Sequence, residues 1–296
     1  MEFVPFEFSE SVCAALDCFQ LSVFSELFCN SRNSFWKTAI TEHRENGREF
    51  ALEIGYCSGQ WYYGIVTESQ DELTFEQFKK LDLRFVRVHT VKLQYQFENE
   101  CSFEEILEIV NCMLPHVKLT SFQEYSCHFP MDSLTTLLSL FSGHSAKEIV
   151  INTFSKPIEE FLKVQLLLPN LTSLYISEAK KRWSKELRMM VQTVALRKEI
   201  EKIQVPFEFK WNFFQKLFEK ALGQNCQHFK SKYSIELKQL STYDKRWYDN
   251  EFVLWPKDGI RAAINLNKGW IQVRHDNVNE DRFGAEDYAE MNRLDL

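Results

Sequence analysis

The chain has 296 residues, 45 % hydrophobic and 26 % charged, with only 9 Gly and 7 Pro. That usage excludes a disordered, collagen-like or disulfide-stapled miniprotein chain, and fits one large domain or a small module fused to a larger one. The net charge of −7 is concentrated at the C-terminus: residues 276–296 hold seven acids against Arg282 and Arg293, which leaves a near-neutral body without an electrostatic footprint for nucleic acid or an anionic membrane.

In chain order, residues 1–46 read as a helical head. Ser9 or Glu10 caps a helix carrying Val12, Ala15 and Leu16; a second helix holds Leu21, Phe24, Leu27 and Phe28; a third holds Phe35, Trp36, Ala39, Ile40 and His43. No cationic segment followed by an apolar run opens the chain, and no apolar run approaches the ~20 residues that span a bilayer. The eight cysteines, Cys13, Cys18, Cys29, Cys57, Cys101, Cys112, Cys127 and Cys226, are scattered without a CxxC, so they are expected to be reduced and mostly core-filling. An intracellular protein, cytoplasmic or nuclear, is expected.

Residues 47–82 predict a hairpin and a connecting helix. Glu49 to Tyr56 alternates, Ser58-Gly59 turns, Trp61 to Val66 returns, and Glu72 to Leu81 reads as helix.

From 83 to 240 a pattern repeats: apolar-x-x-apolar-x-apolar. It runs Val88-x-x-Val91-x-Leu93, Leu114-x-x-Val117-x-Leu119, Ala146-x-x-Ile149-x-Ile151, Leu171-x-x-Leu174-x-Ile176 and Ile200-x-x-Ile203-x-Val205, with a degraded sixth copy at Cys226-x-x-Phe229-x-Ser231. The last two apolar positions alternate as on one face of a short strand. Helical periodicity lies between the copies, in Phe103 to Leu114, Leu134 to Phe141, Ile158 to Leu167, Trp183 to Val194 and Phe213 to Phe218. Each unit is strand plus helix and cannot bury its apolar face alone, so units must stack. The alternative is an ordinary α/β domain with parallel strands. Residues 241–278 turn strand-like again and read as a β-rich cap, and 279–296 as an acidic tail.

Strand–helix units of this length and pattern resemble leucine-rich repeats, and the irregular spacing resembles the horseshoes of ubiquitin-ligase adaptors more than regular extracellular ones. The resemblance implies an α/β fold: an irregular leucine-rich-repeat-like solenoid with an N-terminal helical head and a β-rich C-terminal cap. Residues between the apolar anchors would then face the concave side. One column reads Lys92, Lys118, Val150, Tyr175 and Gln204, and the column before it Thr90, His116, Glu148, Ser173 and Lys202. Of these, Lys92, Lys118, Tyr175, Gln204, His116 and Glu148 are the candidate partner-binding residues, since an aromatic among charges suits a protein or peptide partner.

The head resembles an F-box, which opens on an apolar-Pro pair and sets apolar residues at fixed offsets across three short helices. Val4-Pro5 supplies the pair, Val12 and Leu16 the first helix, Leu21 the start of the second, and Trp36 the closing tryptophan. The opening, the Trp and the repeats are together similar to lineage-expanded nematode F-box and F-box-like proteins. That resemblance implies a substrate adaptor of a cullin–RING (SCF-type) ubiquitin ligase, docking on the ligase's small adaptor subunit through Val4, Pro5, Val12, Leu16 and Leu21 and taking an unknown target protein with its C-terminal domain. The other reading is a repeat-based interaction scaffold whose helical head caps the stack and has no ligase link.

Chemistry is sparse. There is no P-loop, GxGxxG, HExxH or GxSxG. Cys127 and His128 are adjacent in an extended segment and point opposite ways, and the histidines are dispersed. Lys180-Lys181-Arg182 is diluted by Glu178 and Glu186. No enzyme, cofactor, metal, nucleic acid or membrane partner is expected.

Overall fold

A computed structural model describes residues 5–16, 18–28, 34–94, 99–125, 128–177, 183–221, 228–234, 244–248, 251–257, 260–265 and 270–275. Val4, Cys127, the run at 180–182 and the acidic tail lie outside them. The chain divides into two compact units, Met1–Pro169 and Asn170–Leu296.

The first unit opens with three helices, α1 (Phe6–Ala15), α2 (Cys18–Phe28) and α3 (Ser34–Asn46). The expected caps at Ser9 or Glu10 are not used: α1 starts directly after Pro5, and the fully buried Ser9 hydroxyl donates instead to the Pro5 carbonyl at 3.4 Å. Strands β1 (Arg48–Cys57) and β2 (Gln60–Thr67) then form the expected antiparallel hairpin, closing on Cys57 opposite Gln60. Its two turn residues, Ser58 and Gly59, both have positive φ (52° and 89°), as a tight turn matched to strand twist requires.

The helix expected from Glu72 to Leu81 is not there as a unit. Glu72–Leu73 is a short strand, β3, on the edge of β2, and only Phe75–Phe78 is helical, α4. Thr74 resets the chain between them. Its side chain accepts from the Gln77 amide while the Gln77 side chain accepts from the Thr74 amide, so the helix starts three residues later than the apolar spacing suggests.

Three strand–helix units follow: β4 (Val86–Leu93), β5 (Asn99–Cys101) and α5 (Phe103–Met113); β6 (Val117–Glu124) and α6 (Met131–Phe141); β7 (Glu148–Ile151) and α7 (Lys156–Leu167). The strands lie in the order β7-β6-β4-β1-β2-β3, with β5 also on β2. The β1–β4, β4–β6 and β6–β7 pairs are parallel. Helix starts are capped by Ser102 and Ser155, and each helix buries one stripe. Ile106, Ile109, Val110 and Met113 of α5, Leu134, Leu137, Leu138 and Phe141 of α6, and Ile158, Phe161, Leu162 and Leu166 of α7 are all buried with Val91, Leu93, Phe122, Ile149 and Ile151 of the strands.

The second unit repeats the theme: β8 (Ser173–Ile176), α8 (Lys185–Val194), β9 (Lys202–Lys210), α9 (Trp211–Ala221) and β10 (His228–Ser234), then a meander of β11 (Asp244–Tyr248), β12 (Glu251–Lys257), β13 (Ile260–Asn265) and β14 (Trp270–His275). β8, β9 and β10 are parallel. β14 pairs antiparallel with β10, and β13, β12 and β11 continue outward. Phe209, Phe213 and Phe229 meet at centroid distances of 4.8–6.0 Å in its core. The chain is therefore α/β, with parallel strands through its repeated middle and antiparallel strands at both ends.

Candidate interaction surfaces

In the head, Cys13, Leu21, Ala39 and Ile40 form a buried cluster, with Phe6, Leu16, Phe24 and Phe28 packed against it. Trp36 is buried and stacks on Phe28 at 5.3 Å, with Phe24 at 5.4 Å and Phe8 at 6.2 Å. This placement sorts the five expected docking residues. Pro5 is exposed and Val12 half-buried. Leu16 leans on the inner cluster. Leu21, at 1 % exposure, is a core residue of the head and unavailable to a partner: three helices this short have only a few side chains to fill their centre, and Leu21 is one of them. Val4 lies outside the described residues.

What the head does expose is a different apolar set, Phe8, Val23, Leu27 and Phe35, from 43 to 71 % accessible. The signal for it was in the sequence. Val23 and Leu27 fall four apart on α2, off the stripe on which Leu21, Phe24 and Phe28 fall, so α2 is apolar on more than one face.

The head is tied to β4 by Arg87. This side chain is 2 % exposed. Its Nε donates to the Leu16 carbonyl at 2.9 Å, its Nη2 to the Cys13 carbonyl at 3.2 Å, and Nη2 also lies 3.3 Å from His43 Nδ1. The guanidinium thus caps the C-terminal end of α1, where unpaired carbonyls carry partial negative charge. Gly47 makes room for it: a Cβ there would stand 2.7 Å from Arg87 Nη1 and 2.4 Å from the His43 carbonyl oxygen. Nearby, Arg84 bridges Glu10 of α1 at 3.3 Å and Asp82 at 2.6 Å. Burial and the Arg87 charge hold the His43 imidazole below its ordinary range.

The strand register corrects the expected columns. Lys92 stands beside Gln123, not Lys118, and Thr90 beside Ser121, not His116. Pairing begins as Val88 opposite Val117 and resumes as Thr90 opposite Ser121, so β6 carries extra residues against β4. The positions that align with Val88, Val91 and Leu93 are therefore Val117, Phe122 and Glu124, not Leu114, Val117 and Leu119. His116 ends a short 3-10 turn before the strand, and Lys118 is exposed near its start. Glu148 keeps its place, opposite Ser121.

The resulting rows are Glu53, Lys92, Gln123 and Val150, and Ala51, Thr90, Ser121 and Glu148. Glu53 receives Lys92 Nζ at 2.8 Å and Gln94 Nε2 at 2.9 Å. The Tyr125 hydroxyl donates to Gln123 Oε1 at 2.8 Å, Gln123 Nε2 to Ser121 Oγ at 2.9 Å, and Ser121 Oγ to Glu148 Oε2 at 3.3 Å. In the second unit Tyr175 stands opposite Gln204, and Gln204 opposite Lys230.

A scan against models of protein families finds none that matches this chain, and a search of curated proteins finds no similar sequence.

Among the described residues no group of three or more His, Cys, Asp or Glu is placed to hold a metal ion, and no helix is long and apolar enough to cross a membrane. Of the four cysteines with described surroundings, Cys13 is buried, Cys101 and Cys112 are half-buried, and Cys57 is exposed at the hairpin tip. The expectation of core-filling thiols fits only the first, because the others sit at a strand end, on a helix flank and beside a turn. Burial pushes the Cys13 thiol up to about 11 and that of Cys101 to about 12, so neither is a ready nucleophile.

Proposed function

We propose that the chain is a protein–protein interaction adaptor, with an F-box-like head that engages the small adaptor subunit of an SCF-type ubiquitin ligase and leucine-rich-repeat-like strand–helix units that engage a target protein. The observation that carries this reading is the exposed apolar set on a three-helix head: Pro5, Phe8, Val23, Leu27 and Phe35 together. Large apolar side chains left exposed on so small a module are available to a partner. Each such side chain contributes roughly 1.5–3 kcal/mol when fully buried by a partner. The docking set is accordingly Val4, Pro5 and Val12 with these outward residues, without Leu21. Lys92, Gln123, Ser121 and Glu148 are the proposed target-facing residues of the first unit, and Tyr175 and Gln204 those of the second.

The inward placement of Leu21 and Leu16 favours a second reading, an interaction scaffold whose head only caps the first strand–helix unit. A pull-down separates the two. The full-length chain is tested against the purified ligase adaptor subunit beside a Phe8→Asp/Leu27→Asp variant checked for folding by circular dichroism. Binding by the wild type that weakens at least about tenfold, or about 1.4 kcal/mol, in the folded variant supports the ligase adaptor. No binding by the wild-type chain sinks it and leaves the scaffold.

A further inference from the structure

Arg87 and His43 form a buried contact with an unusual charge balance. Arg87 is a permanent cation, yet its three contacts are two backbone carbonyls and an imidazole nitrogen, and none is a carboxylate. His43 is 1 % exposed, its ring stacked edge-on against Phe85 at 5.0 Å. Since the guanidinium has no lone pair to offer, Nδ1 must be the acceptor, which fixes His43 as the neutral tautomer with its proton on Nε2. Neither His43 Nε2 nor Arg87 Nη1 has a hydrogen-bond partner among the described residues. The contact has no spare acceptor to absorb a second positive charge.

We propose that this contact is a proton-sensitive latch: neutral His43 completes the acceptor set that ties α1 and α3 to β4, and a proton on Nδ1 breaks it. Protonation removes the lone pair that Arg87 uses and sets two cations 3.3 Å apart where water does not screen them. The relief is for α1 and α3 to swing away from β4, carrying the Leu16 and Cys13 carbonyls off the guanidinium and letting His43 reach water.

The charged groups around the ring decide whether a proton is resisted. Glu10 on α1 and Asp82 before β4 favour it, while burial, Arg87 and Arg84 oppose it, burial most strongly. Both acids are already engaged by Arg84, at 3.3 and 2.6 Å, so their help is partly spent. Cys13, on the same end of α1, stays a neutral thiol. The balance leaves the closed head with a neutral imidazole, and mild acid as the condition that opens it. The latch does not depend on what the head binds.

Hydrogen exchange on the full-length chain reads it directly. Protection factors for amides in 6–16 and 34–46, corrected for the intrinsic pH dependence of exchange, are expected to fall by about tenfold for each pH unit over which His43 gains a proton on opening. Those in α6 and α7 should fall less, tracking only the change in global stability. His43→Gln, whose amide oxygen still accepts from Arg87, should flatten the dependence. A wild-type head whose protection is independent of pH overturns the latch, as does an equal fall in wild type and variant. If His43→Gln does not fold, nitrogen NMR of the wild-type histidines decides. Loss of α1 and α3 protection that tracks His43 protonation supports the latch, and a doubly protonated His43 in a fully protected head overturns it.

Discussion

Two glycines show how differently one residue type is demanded. Gly59 has nothing near its missing Cβ, and its requirement is purely the positive φ of the turn. Gly47 has no such φ, and its requirement is space beneath Arg87. Gly59→Ala should therefore cost about 1–2 kcal/mol of left-handed strain and leave the head unchanged. Gly47→Ala should cost about 1–3 kcal/mol from overpacking, because the nearest atom is a backbone carbonyl that cannot swing aside, and it should also lower amide protection in α1. Urea midpoints with hydrogen exchange test both; equal effects on α1 from the two substitutions would refute the distinction. Glu124 is a third case. Its buried carboxylate accepts from the Asn152 amide at 3.0 Å, the Thr153 amide at 2.8 Å and the Thr153 hydroxyl at 2.5 Å, fastening the end of β6 to the turn after β7. Glu124→Gln removes the charge from these bonds and is expected to cost about 1.5–3 kcal/mol, read as a lower urea midpoint with an unchanged slope.

At the scale of elements, much was legible in the sequence because local chemistry and tertiary packing agree. The strands and helices of the repeated middle announce themselves by a change of apolar period, and in the structure Ser102, Ser155 and Ser184 cap three of the helices. Ser102→Ala should therefore destabilise by about 1 kcal/mol, more than an exposed hydroxyl such as Ser139 of α6, whose Oγ only bonds back to its own helix at Thr136. A urea titration of the two alanine variants checks the order. What was not legible was register. The pattern at Leu114, Val117 and Leu119 imitates a repeat copy, but those residues lead into the irregular start of β6. Parallel pairing is fixed by the neighbouring strand, which periodicity alone cannot see. The same blindness hid the two polar rows, since Gln123 of one and Ser121 of the other carry no apolar signal. It also misplaced Leu21, since a stripe on a short helix does not reveal whether its partner is the chain itself or another molecule. The split outer edge of β2, covered near Trp61 by β5 and near Val66 by β3, is likewise invisible locally, though it removes the longest strand edge of that end of the sheet from aggregation.

For the molecule as a whole, the titrating groups set a direction for stability against pH. His43, His116 and His144 all have imidazoles held below their ordinary value of 6.5, chiefly by burial, with Arg87 adding for the first and Lys118 for the other two. A hydrogen bond with the Val117 backbone works the other way at His144 without reversing the shift. In the unfolded chain these rings take up protons as pH drops through about 6.5, while the folded chain still resists. The unfolded state then binds more protons, and stability must fall as pH falls. The loss begins near the ordinary histidine range and levels off once the folded-state rings also titrate. Carboxylates contribute little to this change, because their ordinary range lies below it; Asp82, drawn down further by Arg84, keeps its charge throughout. The urea midpoint is expected to drop steadily from pH 7.5 to 5.5. A His116→Gln/His144→Gln variant should retain only the part of that drop due to His43. A midpoint that is flat or rises over this interval would mean that these rings meet water in the folded chain, and that Arg87 holds the head without the help of a neutral imidazole.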